Sequence, residues 1–218
     1  MISAVIFDMD GVLIDSEPFW KEADIQAYEK VGLFLTKEQC KITAGMDSRS
    51  AVNYWYNLHP WNGKEINDVI EDIENFAEEL IAKNGKPMEG LEYILSFFET
   101  RKIPLALASS SKVQIIETVL EKLKIKTRFK LYHSAQFEQQ GKPHPAVFLT
   151  TAKKLGIEPS KCLVFEDSIN GIVAAKAAGM KVVALPDKYL VGDTKFERAD
   201  LILKTLYDFT EIEFQKLL

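Results

Sequence analysis

Short, continuous apolar runs recur along the chain and are bounded by turn residues. A run that does not alternate with polar positions is typical of a strand buried on both faces of a sheet. We predict strands at AVIF (4–7), PLALA (104–108), CLVF (162–165), KVVAL (181–185) and LIL (201–203), with a weaker candidate at LYHSA (131–135). Such strands are found in parallel sheets that are covered by helices.

Between these runs, apolar residues recur at three- and four-residue spacing, which is typical of amphipathic helices. Helices are predicted at 112–125, 144–157 and 168–180. The second has Pro145 near its start and Gly156 at its end, as helices prefer. In the third, Ser168 is expected to cap the helix and Gly171 to allow its close approach. Alternating strands and helices predict an α/β fold built on a doubly wound parallel sheet.

The interval between the first two strands interrupts this alternation. A crossover needs about a dozen residues, but about a hundred separate Phe7 from Pro104. Helices are predicted here at 17–32, at 47–59 with Asp47 or Ser48 as the N-cap, and at 64–85. We therefore expect a core of residues 1–15 and 86–218, with residues 16–85 inserted as a helical cap. Ligands of such sheets bind outside the carboxyl ends of the strands, so this insertion is expected to act as a lid.

Composition and charge narrow the class of protein. The chain has 218 residues, of which 47% are hydrophobic and 27% charged, with a net charge of −5. It has no basic run, so a nucleic acid is not expected as a partner. It has no apolar run of about eighteen residues and no basic amino-terminal segment, so neither a membrane span nor a signal peptide is expected. Cys40 and Cys162 lie far apart, as two reduced thiols of a cytoplasmic protein would, and we expect a monomer.

Polar side chains follow the predicted strands at the points where they end. Asp8 and Asp10 follow the first strand, Ser109–Ser111 follow the second, and Glu166–Asp167 end the strand at 162–165. Lys142 stands in a loop between Gly141 and a proline. Taken singly, each has a plainer explanation: a polar turn, a helix cap or a solvated lysine. For Ser111, we favour capping of the following helix.

The combination is more informative than its parts, because the carboxyl ends of parallel strands meet at one edge of a sheet. At least three carboxylates at one point require a divalent cation, and a site made only of oxygen ligands favours Mg²⁺ over Zn²⁺. The serine hydroxyls, the start of a helix and Lys142 would donate to a phosphate. The sequence therefore predicts a magnesium and phosphate site at this edge.

Four motifs in this order resemble the haloacid dehalogenase superfamily of phosphotransferases, whose core is Rossmann-like. They are DMDGV (8–12), ASSS (108–111), GKPHP (141–145) and FEDS (165–168). The resemblance covers essentially the whole chain, including a cap inserted after the first motif. It implies that Asp8 is the nucleophile, which forms an aspartyl-phosphate, and that Asp10 is the general acid and base.

The same resemblance implies the ligands of the metal and of the phosphate. Asp8, the backbone carbonyl of Asp10 and Asp167 would hold Mg²⁺, and Glu166 would be a further ligand or support them. A phosphate clamp would consist of Ser109, the Ser110 backbone N–H and Lys142.

Within the superfamily, the cap resembles the β-phosphoglucomutase-like subgroup, and especially phosphatases of 2-deoxyglucose 6-phosphate and hexitol phosphates. Glu17, Trp20, Thr43, Gly45 and Arg49 are the candidate residues for substrate specificity. Two alternatives stay open: Arg49 as a solvated helix residue, and Trp20 as part of the packing of the cap. Trp55 and Trp61, by contrast, are expected in the core of the cap.

Two other functions are consistent with this pattern. A β-phosphoglucomutase shares the core and cap, but the mutases carry a histidine on the first cap helix where this chain has Trp20, and no histidine precedes His59. We therefore favour hydrolysis of a small phosphomonoester. A non-catalytic phosphate-binding protein would be expected to have lost Asp8 or Asp10, and both are present.

Overall fold

The chain forms two units. The structure is a computed structural model that describes residues 1–43, 45–187, 189–190 and 192–218. Met1–Asp15 and Lys86–Leu218 form the first unit, and Ser16–Gly85 form the second, which is helical.

A parallel sheet organises the first unit. The strands are β1 (Ala4–Phe7), β2 (Ile14–Asp15), β3 (Lys86–Pro87), β4 (Leu105–Ser109), β5 (Leu131–Ser134), β6 (Cys162–Glu166), β7 (Lys181–Ala184) and β8 (Leu201–Ile202). Six of them form one sheet in the order β5-β4-β1-β6-β7-β8 with parallel pairing throughout. The strands β2 and β3 form a separate antiparallel pair. The prediction of a doubly wound α/β fold is confirmed.

The helices alternate with the strands in the first unit and fill the second. They are α1 (Glu17–Glu29), α2 (Lys37–Cys40), α3 (Ser48–Leu58), α4 (Ile66–Asn84), α5 (Leu91–Glu99), α6 (Val113–Lys122), α7 (Ala146–Leu155), α8 (Ile169–Ala177) and α9 (Glu211–Lys216). Of these, α1 to α4 belong to the second unit. Asp47 is the N-cap of α3 and accepts a hydrogen bond from the Ser50 N–H. Asp47 is one of the two residues predicted for this N-cap.

Both faces of the parallel sheet are buried, because its strands carry apolar residues on either side. On one face Phe7 stacks on Phe165, with ring centroids 4.9 Å apart, and Phe98 packs against both. On the other face Ile6 and Ala106 pack with Phe148 of α7. A strand that is apolar at every position must be buried on both of its faces. Continuous apolar runs in the sequence therefore predict the strands of this sheet correctly.

The second unit has its own core. Helices α1 and α4 pack together, and Lys30 at the end of α1 pairs with Asp72 of α4. Lys64, just before the start of α4, pairs with the same carboxylate. Trp55 and Trp61 are buried in this unit, as predicted. The Trp61 ring lies 6.0 Å from that of Tyr28, centroid to centroid.

Some features differ from the predictions. Helix α5 was not predicted, although its buried residues Leu91, Ile94, Leu95 and Phe98 have helical spacing. The β2–β3 pair, two residues in each strand, was also not predicted. Both cysteines are free and buried. Among the described residues, no helix has the length and apolar character needed to cross a membrane.

Candidate active site

Three adjacent strands place polar residues at one edge of the sheet. Asp8 follows β1, and its N–H donates to the Phe165 carbonyl of β6. Ser109 ends β4, two residues beyond Leu107, which is in register with Phe7. Glu166 ends β6, one residue beyond the Phe165 that pairs with Phe7 on the other side. The convergence expected from the order of the strands is present.

A buried carboxylate and a buried ammonium form the centre of this edge. Lys142 Nζ lies 2.6 Å from Asp8 Oδ1 and 2.8 Å from Glu166 Oε2. Burial and the charge of Glu166 raise the pKa of Asp8 to about 8, against the opposing effect of Lys142. Burial and the neighbouring carboxylates thus raise the pKa of Asp8 more than Lys142 lowers it.

Lys142 is a fixed cation. Its side chain is buried, and its Nζ lies 4.9 Å from the centroid of the Phe148 ring. Burial alone would lower the pKa of Lys142, but the charges of Asp8 and Glu166 outweigh it and hold this pKa above its usual range. The ammonium is thus available as a permanent positive charge in a buried site.

Glu166 is held through both of its oxygens. Oε1 accepts hydrogen bonds from the Ser168 N–H and hydroxyl, and Oε2 accepts from Lys142. Ser168 also accepts from the Gly171 N–H and so caps α8, as predicted. The close approach expected of Gly171 is confirmed, because a Cβ there would lie 2.0 Å from the Glu166 carboxyl carbon.

Asp167 faces the turn that follows β1. Gly11 in that turn has φ +71°, and a Cβ on it would lie 2.1 Å from Asp167 Oδ2. Burial, together with the charges of Glu166 and Asp8, raises the pKa of Asp167 well above its usual value. Asp167 and Asp8 therefore repel each other in the absence of a further positive charge.

The acidic cluster fits a divalent cation. Asp8, Glu166 and Asp167 offer carboxylate oxygens within 4.8 Å of one another. This oxygen-only donor set suits a hard cation. The carboxylate of Asp10 does not belong to this cluster and instead accepts, through Oδ2, a hydrogen bond from Ser111 Oγ at 2.8 Å.

The predicted role of Ser111 as a helix cap is wrong. The N-cap position of α6 is Lys112, which makes no side-chain cap, and the Val113 N–H donates to Gln136 Oε1 at 2.9 Å. Ser111 uses its hydroxyl on Asp10 instead. Sequence analysis missed this contact because Ser111 and Asp10 lie 101 positions apart.

The remaining phosphate candidates lie in the loop after β4. Ser109 is 1% exposed, and its Oγ accepts the Ser111 N–H at 3.0 Å. Ser110 is exposed. A buried hydroxyl beside an exposed backbone turn is the arrangement that the phosphate clamp requires, but its role stays a prediction.

The specificity candidates belong to the second unit. Glu17 pairs with Lys21, and Arg49 Nη2 donates to Asn67 Oδ1 at 3.0 Å while remaining exposed. Trp20 is half-buried. Gly45 has φ +75°. Thr43, by contrast, is buried and accepts a hydrogen bond from Trp55 Nε1. The role of these residues in substrate selection stays a prediction.

Comparison with known proteins supports the same assignment. The family model for haloacid dehalogenase-like hydrolases matches residues 5–185. Hexitol phosphatase B of Escherichia coli (strain K12) is 34% identical over 210 residues, covering 96% of this chain and 95% of that protein. A probable pseudouridine-5'-phosphatase of Drosophila melanogaster is 32% identical, covering 98% of this chain and 94% of that protein.

A solved structure agrees with the fold of this chain. The crystal structure of β-phosphoglucomutase from Clostridium difficile matches with a TM-score of 0.85 at 25% identity, covering 100% of this chain and 97% of that chain. The four motifs, the strand order and these matches confirm the resemblance drawn from the sequence. The chain therefore belongs to the haloacid dehalogenase-like hydrolases.

Proposed function

We propose that the chain is a Mg²⁺-dependent phosphatase that hydrolyses a small sugar phosphate or sugar-alcohol phosphate through an aspartyl-phosphate on Asp8. The observation that carries this proposal is the buried contact of Asp8 with Lys142, beside the carboxylates of Glu166 and Asp167. A nucleophilic carboxylate next to a fixed cation suits attack on a phosphoryl group. Phosphoryl transfer depends mainly on positioning and charge neutralisation, which these residues supply.

In the first step, an oxygen of Asp8 forms a bond to phosphorus while the bond to the sugar oxygen breaks. Lys142, the Ser109 hydroxyl and the Ser110 backbone N–H hold the phosphoryl oxygens. Asp10 gives its proton to the departing alkoxide, which leaves as the alcohol. Ser111, which donates to Asp10 Oδ2, orients this acid.

In the second step, water hydrolyses the aspartyl-phosphate. Asp10, now ionised, takes a proton from the water, and the water oxygen bonds to phosphorus as the bond to Asp8 breaks. Inorganic phosphate leaves, and both aspartates return to their starting forms. One carboxyl group thus serves as acid and then as base.

The proposed Mg²⁺ ligands are Asp8, Asp167 and the backbone carbonyl of Asp10. Both oxygens of Glu166 are already engaged, so we assign it to the support of Lys142 and not to direct ligation. When bound, Mg²⁺ would supply positive charge that keeps the carboxylates ionised and neutralises the phosphate. Burial and mutual repulsion raise the pKa values of Asp8 and Asp167, and a bound cation would oppose both effects.

The substrate class is inferred from the relatives and from the second unit. The relatives named above are a hexitol phosphatase and a probable pseudouridine-5'-phosphatase, both of them phosphatases of small molecules by name. Glu17, Trp20, Gly45 and Arg49 are proposed to select the part of the substrate beyond the phosphate. A guanidinium such as that of Arg49 suits a second anionic group or a polyol.

A panel of hexose, deoxyhexose and hexitol phosphates with Mg²⁺ tests the proposal through the release of inorganic phosphate. We expect release from at least one member, loss of release in EDTA, and recovery on addition of Mg²⁺. No release from any phosphomonoester, or full activity in the chelator, would contradict the proposal.

One observation favours a second candidate, a β-phosphoglucomutase, because the chain matches a solved structure of such a mutase over its full length. A mutase must keep water from the aspartyl-phosphate, and Trp20 stands where the mutases carry a supporting histidine. We therefore favour hydrolysis. Incubation with β-glucose 1-phosphate distinguishes the two, since isomerisation without release of phosphate would establish the mutase.

A further inference from the structure

Three side chains form a hydrogen-bonded row beside the loop that carries Lys142, and the reaction above does not use them. His133, near the end of β5, is 3% exposed. Its Nε2 lies 2.6 Å from Glu138 Oε1, and its Nδ1 lies 3.0 Å from Lys154 Nζ. A buried imidazole held at both nitrogens has a fixed orientation.

The chemistry of these groups determines where the protons lie. A lysine ammonium has only hydrogen-bond donors, so His133 Nδ1 must accept from Lys154. The imidazole proton is then on Nε2, from which it is donated to Glu138. His133 therefore links the Lys154 ammonium on α7 to the Glu138 carboxylate in the loop.

Glu138 anchors this loop to its neighbouring elements. Burial alone would raise the pKa of Glu138, but hydrogen bonds from His133 and Thr150 and the charge of Lys154 hold it below its usual value. Glu138 is thus a carboxylate, held by β5 through His133 and by α7 through Thr150 and Lys154.

Lys142 follows Glu138 by four residues and precedes the start of α7 by four. The segment of residues 139–145, which carries Lys142, is therefore held by Glu138 at one end and by α7 at the other. Lys142 must reach both Asp8 and Glu166 at hydrogen-bond distance, so a shift of this loop would move its ammonium relative to both. Displacements of about 1 Å can lower catalytic rates by about a hundredfold.

We propose that Glu138 is a positioning residue for Lys142, and that His133 and Lys154 hold Glu138 in place. Glu138 acts through the loop and touches neither the phosphate nor Asp8. This inference rests on the proposed function, since it assigns to Lys142 the binding of the substrate phosphate.

The test compares Glu138→Ala, Glu138→Gln and wild type by their affinity for inorganic phosphate in the presence of Mg²⁺, measured calorimetrically, and by kcat/KM. We expect Glu138→Ala to weaken phosphate binding and to lower kcat/KM by about tenfold or more. Glu138→Gln keeps an oxygen that accepts from His133 Nε2, so it is expected to remain within about threefold of wild type.

Glu158→Ala is the matched control, because Glu158 is an exposed residue of the same unit whose side chain pairs with Lys161. It is expected to leave both quantities unchanged, and thermal denaturation checks that all variants are folded. Unchanged phosphate affinity in Glu138→Ala, or an equal loss in Glu158→Ala, would overturn the inference. Phosphate binding needs no turnover, so a wild type without phosphatase activity would contradict the proposed function while leaving this test intact.

Discussion

At the scale of single residues, Glu166 connects more of the site than any other group described above. It fixes Lys142 through one oxygen and the start of α8 through the other. Its carboxylate also fills the space that a side chain at position 171 would need, which Gly171 leaves open. The position of Lys142 therefore depends, through Glu166, on the absence of a side chain at Gly171.

Replacement of that glycine tests this dependence. In Gly171→Ala the new Cβ would lie 2.0 Å from the Glu166 carboxyl carbon, so the carboxylate must move and Lys142 must lose part of its support. We expect kcat/KM to fall by about 10- to 100-fold. Steady-state kinetics with a substrate identified by the panel provide the measurement.

Gly156→Ala is the control for this variant. Gly156 has φ +72° and open space around it, so an alanine there is strained by the backbone alone. We expect it to lower the thermal midpoint while activity is retained, at a cost of about 1 kcal/mol. Wild-type activity in Gly171→Ala would show that Glu166 does not set the position of Lys142.

The residues of the site differ in how far sequence could predict them. Asp8, Lys142 and Asp167 lie in short motifs whose strand ends converge, so their assembly follows from the fold class. The contact of Ser111 with Asp10 and that of Gln136 with the Val113 N–H join loops distant in sequence. Such contacts have no periodicity or local spacing that would reveal them.

At the scale of the elements, helix α1 carries a half-buried acid, Asp24, that the proposed chemistry does not use. Burial raises the pKa of Asp24 to about 7. Because this value lies above that of the unfolded chain, the folded state keeps a proton that the unfolded state releases between about pH 4 and pH 7. Asp24 therefore contributes stability at low pH that is lost as the pH rises towards 7.

Asp24→Asn removes this titration. We expect a higher thermal midpoint than in wild type at about pH 8, equivalent to about 1–2 kcal/mol, and little difference at about pH 4. Calorimetric scans of both proteins at the two pH values provide the measurement. Glu29→Gln, at the exposed end of the same helix, should show no such dependence. An equal rise in thermal midpoint at both pH values would show that the effect does not come from the titration of Asp24.

The elements themselves were predictable where burial is uniform. Strands such as β1 and β6 are apolar at nearly every position, which distinguishes them from surface structure. Helix α5 has helical apolar spacing but lies between β3 and β4, where the predictions assigned no element. The β2–β3 pair is too short for any pattern, and its existence depends on two distant segments meeting.

At the scale of the whole molecule, chemistry and selection are assigned to different units. The first unit carries every residue proposed to act on the phosphate, and the second carries Glu17, Trp20, Gly45 and Arg49. Changes in the second unit are therefore expected to alter which substrates are used, whereas changes at Asp8 should abolish turnover of all of them. The nucleophile is thus the part of the account on which the rest depends.

The most direct test of the account is a rapid-quench experiment with a radiolabelled substrate, comparing wild type with Asp8→Asn in the presence of Mg²⁺. We expect the wild-type chain to carry label during turnover, released by hydroxylamine and mapped to the peptide that contains Asp8. Asp8→Asn should remain folded, carry no label and release no phosphate. Turnover by wild type without labelled protein, or label and substantial turnover in Asp8→Asn, would contradict the assignment of Asp8 as the nucleophile.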